Sequence, residues 1–490
     1  MKLEQLGLVG LAGYLLLLFA IAEFARRARR GNAPADHFLG GRELGVFVLF
    51  LTLYATAYSG NSLLGYPGEG YRRGYSWVMA TGFMMSIIVV FHSLVPKLRP
   101  VAVRHRFVTP GDWVRHRFRG EPGAKGLLQG VAVLMSIALA NFLFAQLKAM
   151  GELAAQVTGG AIPYELGIVI LAAMILFYET LGGMRAVAWT DAAQGVMMLV
   201  GLMALAAWLQ AEAGGVGAVT RAVLEVRPEV GRVPGIVEQT NWASTIVLLG
   251  IASVIYPQAI QRIYAARDGA TLRRSLALMT FMPLTTTLVV TWIGWAAIPR
   301  LSGLGVVEAD RVMPLLLGQW ADAGTAHAAA ATFVFLGALA AIMSTADSCL
   351  LSLGSTLAGD VLDRPRDDDA TTAAGKRIAA VVMVAMAGLA MWARGITLWG
   401  LIELKMELLI QCAPAFLLAI HWRRLKARPA LAGLVVGSAI VVGGVVLGVK
   451  RIEGVHLGVI GLVVNLVMAC VGSLWESRAE ISRLGATRDR

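Results

Sequence analysis

The chain has 490 residues, 57% of them hydrophobic and 15% charged, with a mean hydropathy of +0.68, which excludes an ordinary soluble domain and points to many membrane crossings. A formal charge of +12 would raise nucleic acid as a partner for a soluble protein, but here the basic residues collect in short loops between apolar segments. They report topology, and no nucleic-acid partner is expected. Cys349, Cys412 and Cys470 all fall in apolar segments without metal-ligand spacing, which predicts neither disulfides nor a metal cluster.

Apolar runs long enough to cross a bilayer number about thirteen. The first, 6–25, is too long for a signal-peptide core and lacks a charged leader, so it is expected to stay as a helix. Arg26, Arg27, Arg29 and Arg30 close it and place the N-terminus outside. Spans at 44–66 and 75–97 precede a loop with Lys97, Arg99, Arg104, Arg106, Arg115, Arg117, Arg119 and Lys125, the strongest cytoplasmic marker. Spans at 126–156, 163–182 and 188–211 follow, the last two joined at Arg185. After an outer segment, 212–242, come 243–265 and 276–298, joined inside by Arg267, Arg273 and Arg274. The span 326–357 leads to an inner loop around Asp367, Asp368, Asp369, Lys376 and Arg377. The last spans are 377–395, 398–420, 429–449 and 456–475, with Arg423, Arg424, Lys426 and Arg428 inside and a cytoplasmic tail, 476–490. Every strong basic loop then lies on one side, as expected for a multi-pass protein of the inner (cytoplasmic) membrane; Arg72 and Arg73, in an outer turn, dissent.

The spans at 44–211 and at 243–420 form two sets of five, and an odd number per set makes the second begin on the opposite face, the arithmetic of an inverted repeat. The segment 1–43 adds one helix and a linker, and 421–475 adds two more. Each set opens on a breakable helix. In the first, Ala55-Thr56-Ala57-Tyr58-Ser59-Gly60-Asn61-Ser62 puts small and hydroxyl residues where Leu and Val would be usual. In the second, Pro257 after Tyr256 removes a backbone donor, giving either a kink or a true break. Unwound backbone at this depth survives only where it lines a cavity or binds something.

Within 326–357, Ala341, Ser344 and Thr345 stand at i, i+3 and i+4, so one carbonyl edge and two hydroxyls share a helix face. Such neutral oxygens suit a dehydrated Na⁺; the alternative is hydroxyls bonded back to their own helix. Glu403, Glu407 and Gln411 form a polar stripe every four residues, with Lys405 pointing elsewhere. Lys148 is the expected partner of Glu403 or Glu407, and the stripe either locks helices together or serves binding.

Further motifs complete the set: Asp36-His37-Phe38-Leu39-Gly40-Gly41-Arg42, Gly65-Tyr66-Pro67-Gly68, Gly182-Gly183-Met184-Arg185-Ala186-Val187-Ala188-Trp189-Thr190-Asp191 with Gln194, Gln261-Arg262 with Ala265-Ala266-Arg267-Asp268, and Met343-Ser344-Thr345-Ala346-Asp347-Ser348. With these the chain, from about Asp36 to Arg424, resembles the sodium:solute symporter family, whose members share the LeuT-type five-plus-five fold. The resemblance implies an all-α integral membrane protein and a Na⁺ site made of the carbonyls of Ala55, Tyr58 and Ala341 with the hydroxyls of Ser344 and Thr345. It places Asp191 near the route of ion release, the alternative being a loop carboxylate paired with Arg185. Proline-type members carry an aspartate where this chain has Ala57. A substrate cavity between the broken helices is implied, with Tyr58, Asn61, Asn141, Gln146, Tyr256, Gln258, Glu407 and Gln411 as candidates.

The expected function is Na⁺-coupled symport of a small organic solute, first an amino acid, by alternating access, with Na⁺ and solute as partners in a lipid bilayer, no cofactor, and a monomer sufficient. A proton-coupled or uncoupled permease on the same scaffold is one alternative. A transporter-like solute sensor is another, although the sequence ends on a short basic tail without a kinase domain. No nucleotide-binding loop, nucleophile elbow or metalloprotease helix is present, so no enzyme is expected.

Overall fold

A computed structural model describes residues 3–27, 34–365 and 369–488. Arg29, Arg30, Asp367 and Asp368, which the sequence places in inner loops, lie outside the described residues. The chain is helical nearly throughout, because in hydrocarbon only a helix satisfies its own backbone polar groups. Eight helices are long and apolar enough to span, or nine if the bent pair Ile236–Ile255 and Pro257–Ala265 counts as one. Three shorter apolar helices, Gln5–Ile21, Val46–Ala57 and Tyr164–Phe177, lie where further spans are expected. The expected span at 398–420 carries Glu403, Lys405 and Glu407 and is broken by tighter and wider turns after Leu409. Length and composition alone therefore do not reach the count of thirteen.

Helix α1 (Leu3–Arg27) packs on the outside of the bundle. The first core helix is α2 (Val46–Ala57), which stops at Tyr58 and resumes through a wide turn, Asn61–Gly65, as α3 (Tyr66–Arg73). A sharp turn at Gly74 leads to α4 (Met79–Arg104), followed by α5 (Ala124–Val157) and α6 (Tyr164–Ala213). At Gly183 the run of α6 is interrupted by non-helical backbone, φ +59° and ψ −153°, which separates the two spans expected there. Helix α7 (Ile236–Ala252) ends in a tight turn, Tyr256 is extended, and Pro257 opens α8 (Pro257–Ala265) at a 50° bend. The proline is therefore at a true break, in the first helical turn where its missing N–H costs nothing.

Helices α9 (Gly269–Met279), α10 (Leu288–Ala297) and α11 (Val312–Asp322) lead to α12 (Thr325–Thr356), then α13 (Asp369–Trp392), α14 (Leu398–Leu409), α15 (Ala427–Val446) and α16 (Leu457–Arg488). Buried along most of its length, α12 runs against α6 and α5 at the centre. Between α15 and α16 a two-residue hairpin pairs β1 (Arg451–Ile452) with β2 (Val455–His456), turning on Glu453 and Gly454 at positive φ.

The start of the first broken helix and the end of the second are tied together. Leu44 N–H donates to the Ala265 carbonyl at 3.3 Å, and Arg267 N–H returns to the Leu44 carbonyl at 3.1 Å. Arg42 adds bonds from its guanidinium to the carbonyls of Tyr264 and Phe107. The arginines that dissent from the expected charge bias are neutralised: Arg72 and Arg73 both pair with Glu69, and Arg72 also reaches Asp310 at 3.1 Å. Asp310 in turn accepts from the Leu398 N–H that opens α14.

Gly183 faces the backbone of the short stretch before α2. A Cβ there would lie 2.6 Å from the His37 carbonyl oxygen, in a region of φ and ψ that side chains avoid. Gly183→Ala should lower stability by roughly 1–3 kcal/mol from backbone strain alone. A thermal melt in detergent checks this, and a melting point equal to wild type would refute it.

Candidate functional site

The cavity at the centre lies between α2 and its break, α8, α4, α5 and α14, and is lined mainly by apolar side chains such as Leu53, Met84, Phe91, Leu249 and Met279. Tyr58, Asn61, Tyr256 and Gln258, four of the expected substrate residues, lie on its wall. Tyr58 ends α2 with extended backbone, which takes its carbonyl out of the helical ladder, and its hydroxyl accepts from Thr287 at 3.2 Å. Gln146 sits behind that wall. Its Oε1 accepts from the Gly60 N–H at 3.0 Å, satisfying backbone exposed by the break, and its Nε2 donates to Asn61 Oδ1 at 3.5 Å. That leaves Asn61 Nδ2 buried without a partner. A Cβ at Gly60 would lie 2.5 Å from Ile342, so glycine is needed for α12 to come this close. Asn141, also on α5, is not part of the cavity wall.

Behind the break, α12 meets α2. Thr345 Oγ1 donates to the Ala55 carbonyl at 3.4 Å, so two of the expected ion-site oxygens face each other, and Ala341 and Ser344 are buried on the same helix. Ser344 does not bond back to its own helix but donates to Asp191 Oδ1. Asp191 is fully buried, paired to Arg262 rather than to Arg185: Arg262 Nη2 donates to Asp191 Oδ2 at 2.9 Å, and the Thr52 hydroxyl donates to the same oxygen. Arg185 instead reaches the Gly40 carbonyl, Asp36 and Glu43. The other guanidinium nitrogens of Arg262 hold Thr52 Oγ1 and the Gln258 carbonyl, while Nη2 also donates to Ser348 Oγ at 2.6 Å. Thr52, Ser348 and Arg262 were missed by face counting. Arg262 had a signal, being a lone arginine within a broken intramembrane helix. Asp347, one turn from Ser344, is fully buried with both carboxylate oxygens unpartnered.

The polar stripe of α14 lies elsewhere. Glu403 pairs with Arg451 and accepts from Trp399 Nε1 at 2.7 Å; Glu407 meets His456 Nδ1 at 3.0 Å; Gln411 donates to the Gly458 carbonyl at 2.8 Å. Glu407 and Gln411 thus face the hairpin and α16, not the cavity, because the C-terminal segment supplies a polar edge for that face. Lys148 is not their partner either: its Nζ donates to the Arg394 carbonyl at 3.0 Å and lies 3.8 Å from Glu152. Lys405, on the opposite face of α14, lines the cavity, its Nζ 3.0 Å from the Phe142 ring centre.

A family model described as "SSF: Sodium:solute symporter family" matches residues 37–437. The chain belongs to the sodium:solute symporter family. Among relatives, the sodium/pantothenate symporter of Escherichia coli strain K12 is 27% identical, covering 96% of this chain and 97% of its own. The high-affinity proline transporter PutP of Bacillus subtilis strain 168 is 26% identical over 84% and 87%. A solved Na⁺-coupled sialic acid symporter, in a substrate-bound outward-open state, superposes with a TM-score of 0.78 at 16% identity, covering 96% of this chain and 97% of its own. The fold is thus the LeuT-type helical fold expected, and the chain is a multi-pass small-solute symporter, a carrier and not an enzyme.

Removing one partner of a buried ion pair strands the other charge at a cost of about 3–5 kcal/mol. Arg262→Met alone should therefore destabilise severely, while Arg262→Met with Asp191→Asn should melt higher than the single variant. Additive effects in that double-mutant cycle would show that the pair carries no coupling. Glu407→Gln should lower the melting temperature through its contact with His456 and leave solute affinity within about twofold, given that it lies off the cavity. Binding measured on the purified variant decides the second point.

Proposed function

We propose that the chain couples inward Na⁺ movement to uptake of a small organic solute by alternating access, with the solute held at the cavity between the two broken helices. The observation that carries the ion part is the contact of Thr345 Oγ1 with the Ala55 carbonyl at 3.4 Å beside Ser344, which gathers neutral oxygens from α2 and α12. A Na⁺ held by the carbonyls of Ala55, Tyr58 and Ala341 and the hydroxyls of Ser344 and Thr345 would bridge those helices, and only the state in which they are close could bind it. Tyr58 belongs to both sites, contributing its carbonyl to the ion and its ring to the cavity, which is a direct route for coupling. Asp191 with Arg262 lies next to Ser344, and an ion leaving toward the cytoplasm would exchange Ser344 for this carboxylate.

An amino acid is the first solute the sequence suggests, with carboxylates and amides available for an ammonium and the amides of a broken helix for a carboxylate. With Glu403 and Glu407 turned to the C-terminal hairpin, the carboxylate part of that support is gone, and only neutral hydroxyl, amide and backbone oxygens remain at the cavity for an amine. The reading extends to an inner-membrane location with the N-terminus outside and the C-terminus cytoplasmic, five-helix sets at 44–211 and 243–420, an outer segment 212–242, a cytoplasmic tail 476–490 and a monomer as the working unit. Proton coupling is a second reading, favoured by Asp347, whose two unpartnered oxygens are buried one turn from Ser344.

Uptake into proteoliposomes with Na⁺ replaced by choline separates the two. Loss of uptake supports Na⁺ coupling, and undiminished uptake that Asp347→Asn abolishes would establish the proton reading instead. The double variant Ser344→Ala with Thr345→Ala should raise the Na⁺ concentration for half-maximal uptake by about tenfold or more, since a neutral group's bond to a charge contributes about 1.5–3 kcal/mol. Ser348→Ala should also perturb the protein, since Ser348 is bonded to Arg262 and to the Ser344 carbonyl.

A further inference from the structure

Lys405 is 1% exposed, and among the described residues it has neither a hydrogen bond nor an ion pair. Its ammonium rests against two aromatic rings, 3.0 Å from the centre of Phe142 and 5.6 Å from that of Tyr256. Ring faces attract a cation but do not replace the counter-ion that an intramembrane charge ordinarily finds. It is also the one charged side chain among the residues lining the cavity, which has no carboxylate on its wall. Two further buried polar groups there lack partners: the Tyr256 hydroxyl and Asn61 Nδ2. Asn61 Oδ1 is engaged by Gln146, so the free end is the donor. Ala57 presents only a methyl. The wall is mainly apolar, with neutral hydroxyls from Thr56, Ser59, Ser62 and Ser253 and the Gln258 amide, and it adds one cation and two spare donors, the complement of an anion on a largely uncharged body.

We propose that Lys405 is a specificity-determining residue that binds the carboxylate of the transported solute, so that the substrate is a small monocarboxylate with a largely uncharged body. The carboxylate sits against the Lys405 ammonium and accepts from the Tyr256 hydroxyl, and the remainder packs on the side chains of Met84, Phe91 and Leu249. No acidic group lies on the wall to hold a solute's ammonium, so a neutral tail is preferred to an amine. This rests on the carrier reading above.

The test is the melting temperature of the purified protein in Na⁺ with butyrate, hexanoate, phenylacetate and pantothenate, each against its primary amide, for wild type, Lys405→Met and Lys405→Arg. The expected result is a rise with at least one carboxylate and not with its amide, lost in Lys405→Met and partly kept in Lys405→Arg. Amides that match their carboxylates, a shift that survives in Lys405→Met, or no shift with any carboxylate would overturn the proposal. A structural role alone would change the melting temperature without changing the carboxylate-to-amide difference. If Lys405→Met does not fold, Lys405→Gln takes its place: loss of the carboxylate-over-amide difference supports the proposal and its survival overturns it. Na⁺ alone should stabilise wild type and Lys405→Met equally; its failure to stabilise either would strike Na⁺ coupling and leave the carboxylate assignment to the panel.

Discussion

The pairing of Arg262 with Asp191, both fully buried, is the contact on which the arrangement of the core depends. A single carboxylate or guanidinium there would be prohibitively costly, and each is tolerated because the other, together with Thr52, Ser344, Ser348 and the Gln258 carbonyl, satisfies its hydrogen-bonding capacity. Those partners come from α2, α6, α8 and α12, so one polar cluster fixes four helices relative to one another. Electrostatics at this depth is directional, and the cluster specifies a register that apolar packing alone would leave loose.

The two broken helices are stable for a related reason. At Gly60 the freed backbone N–H is taken by Gln146, and at Pro257 the missing donor falls where a helix has none to use. Each break is thus satisfied by protein, and in the space between them hydroxyls and aromatic rings gather within a mainly apolar wall. Tyr58 stands where the proposed ion site and the cavity meet, and a carrier needs that adjacency if loss of one ligand is to be felt at the other.

Helical spacing proved sound about faces and blind about neighbours. Glu403, Glu407 and Gln411 do share one side of α14, as the four-residue interval requires, but the hairpin at Arg451–His456 lies on that side. Lys405, set aside as pointing away from the stripe, points into the cavity for the same reason of geometry. The face of Ala341, Ser344 and Thr345 was legible because all its members lie on one helix. The partner of Asp191 was not legible from spacing, since Arg262 is seventy-one residues away in sequence and equally close in number to many other charges.

By itself the sequence determined that the chain is a membrane protein, where most of its helices lie, that two of them break, and through its motifs the family to which it belongs. These follow from local chemistry: hydrophobic length, the missing donor of proline, and small residues where bulky ones would be usual. Only the tertiary structure decided which polar groups satisfy one another, which of them face the cavity, and that Arg72 and Arg73 are neutralised by Glu69 and Asp310. Pairing is a property of three-dimensional neighbours, and in a bundle of many helices the same face pattern is compatible with several neighbours until packing selects one.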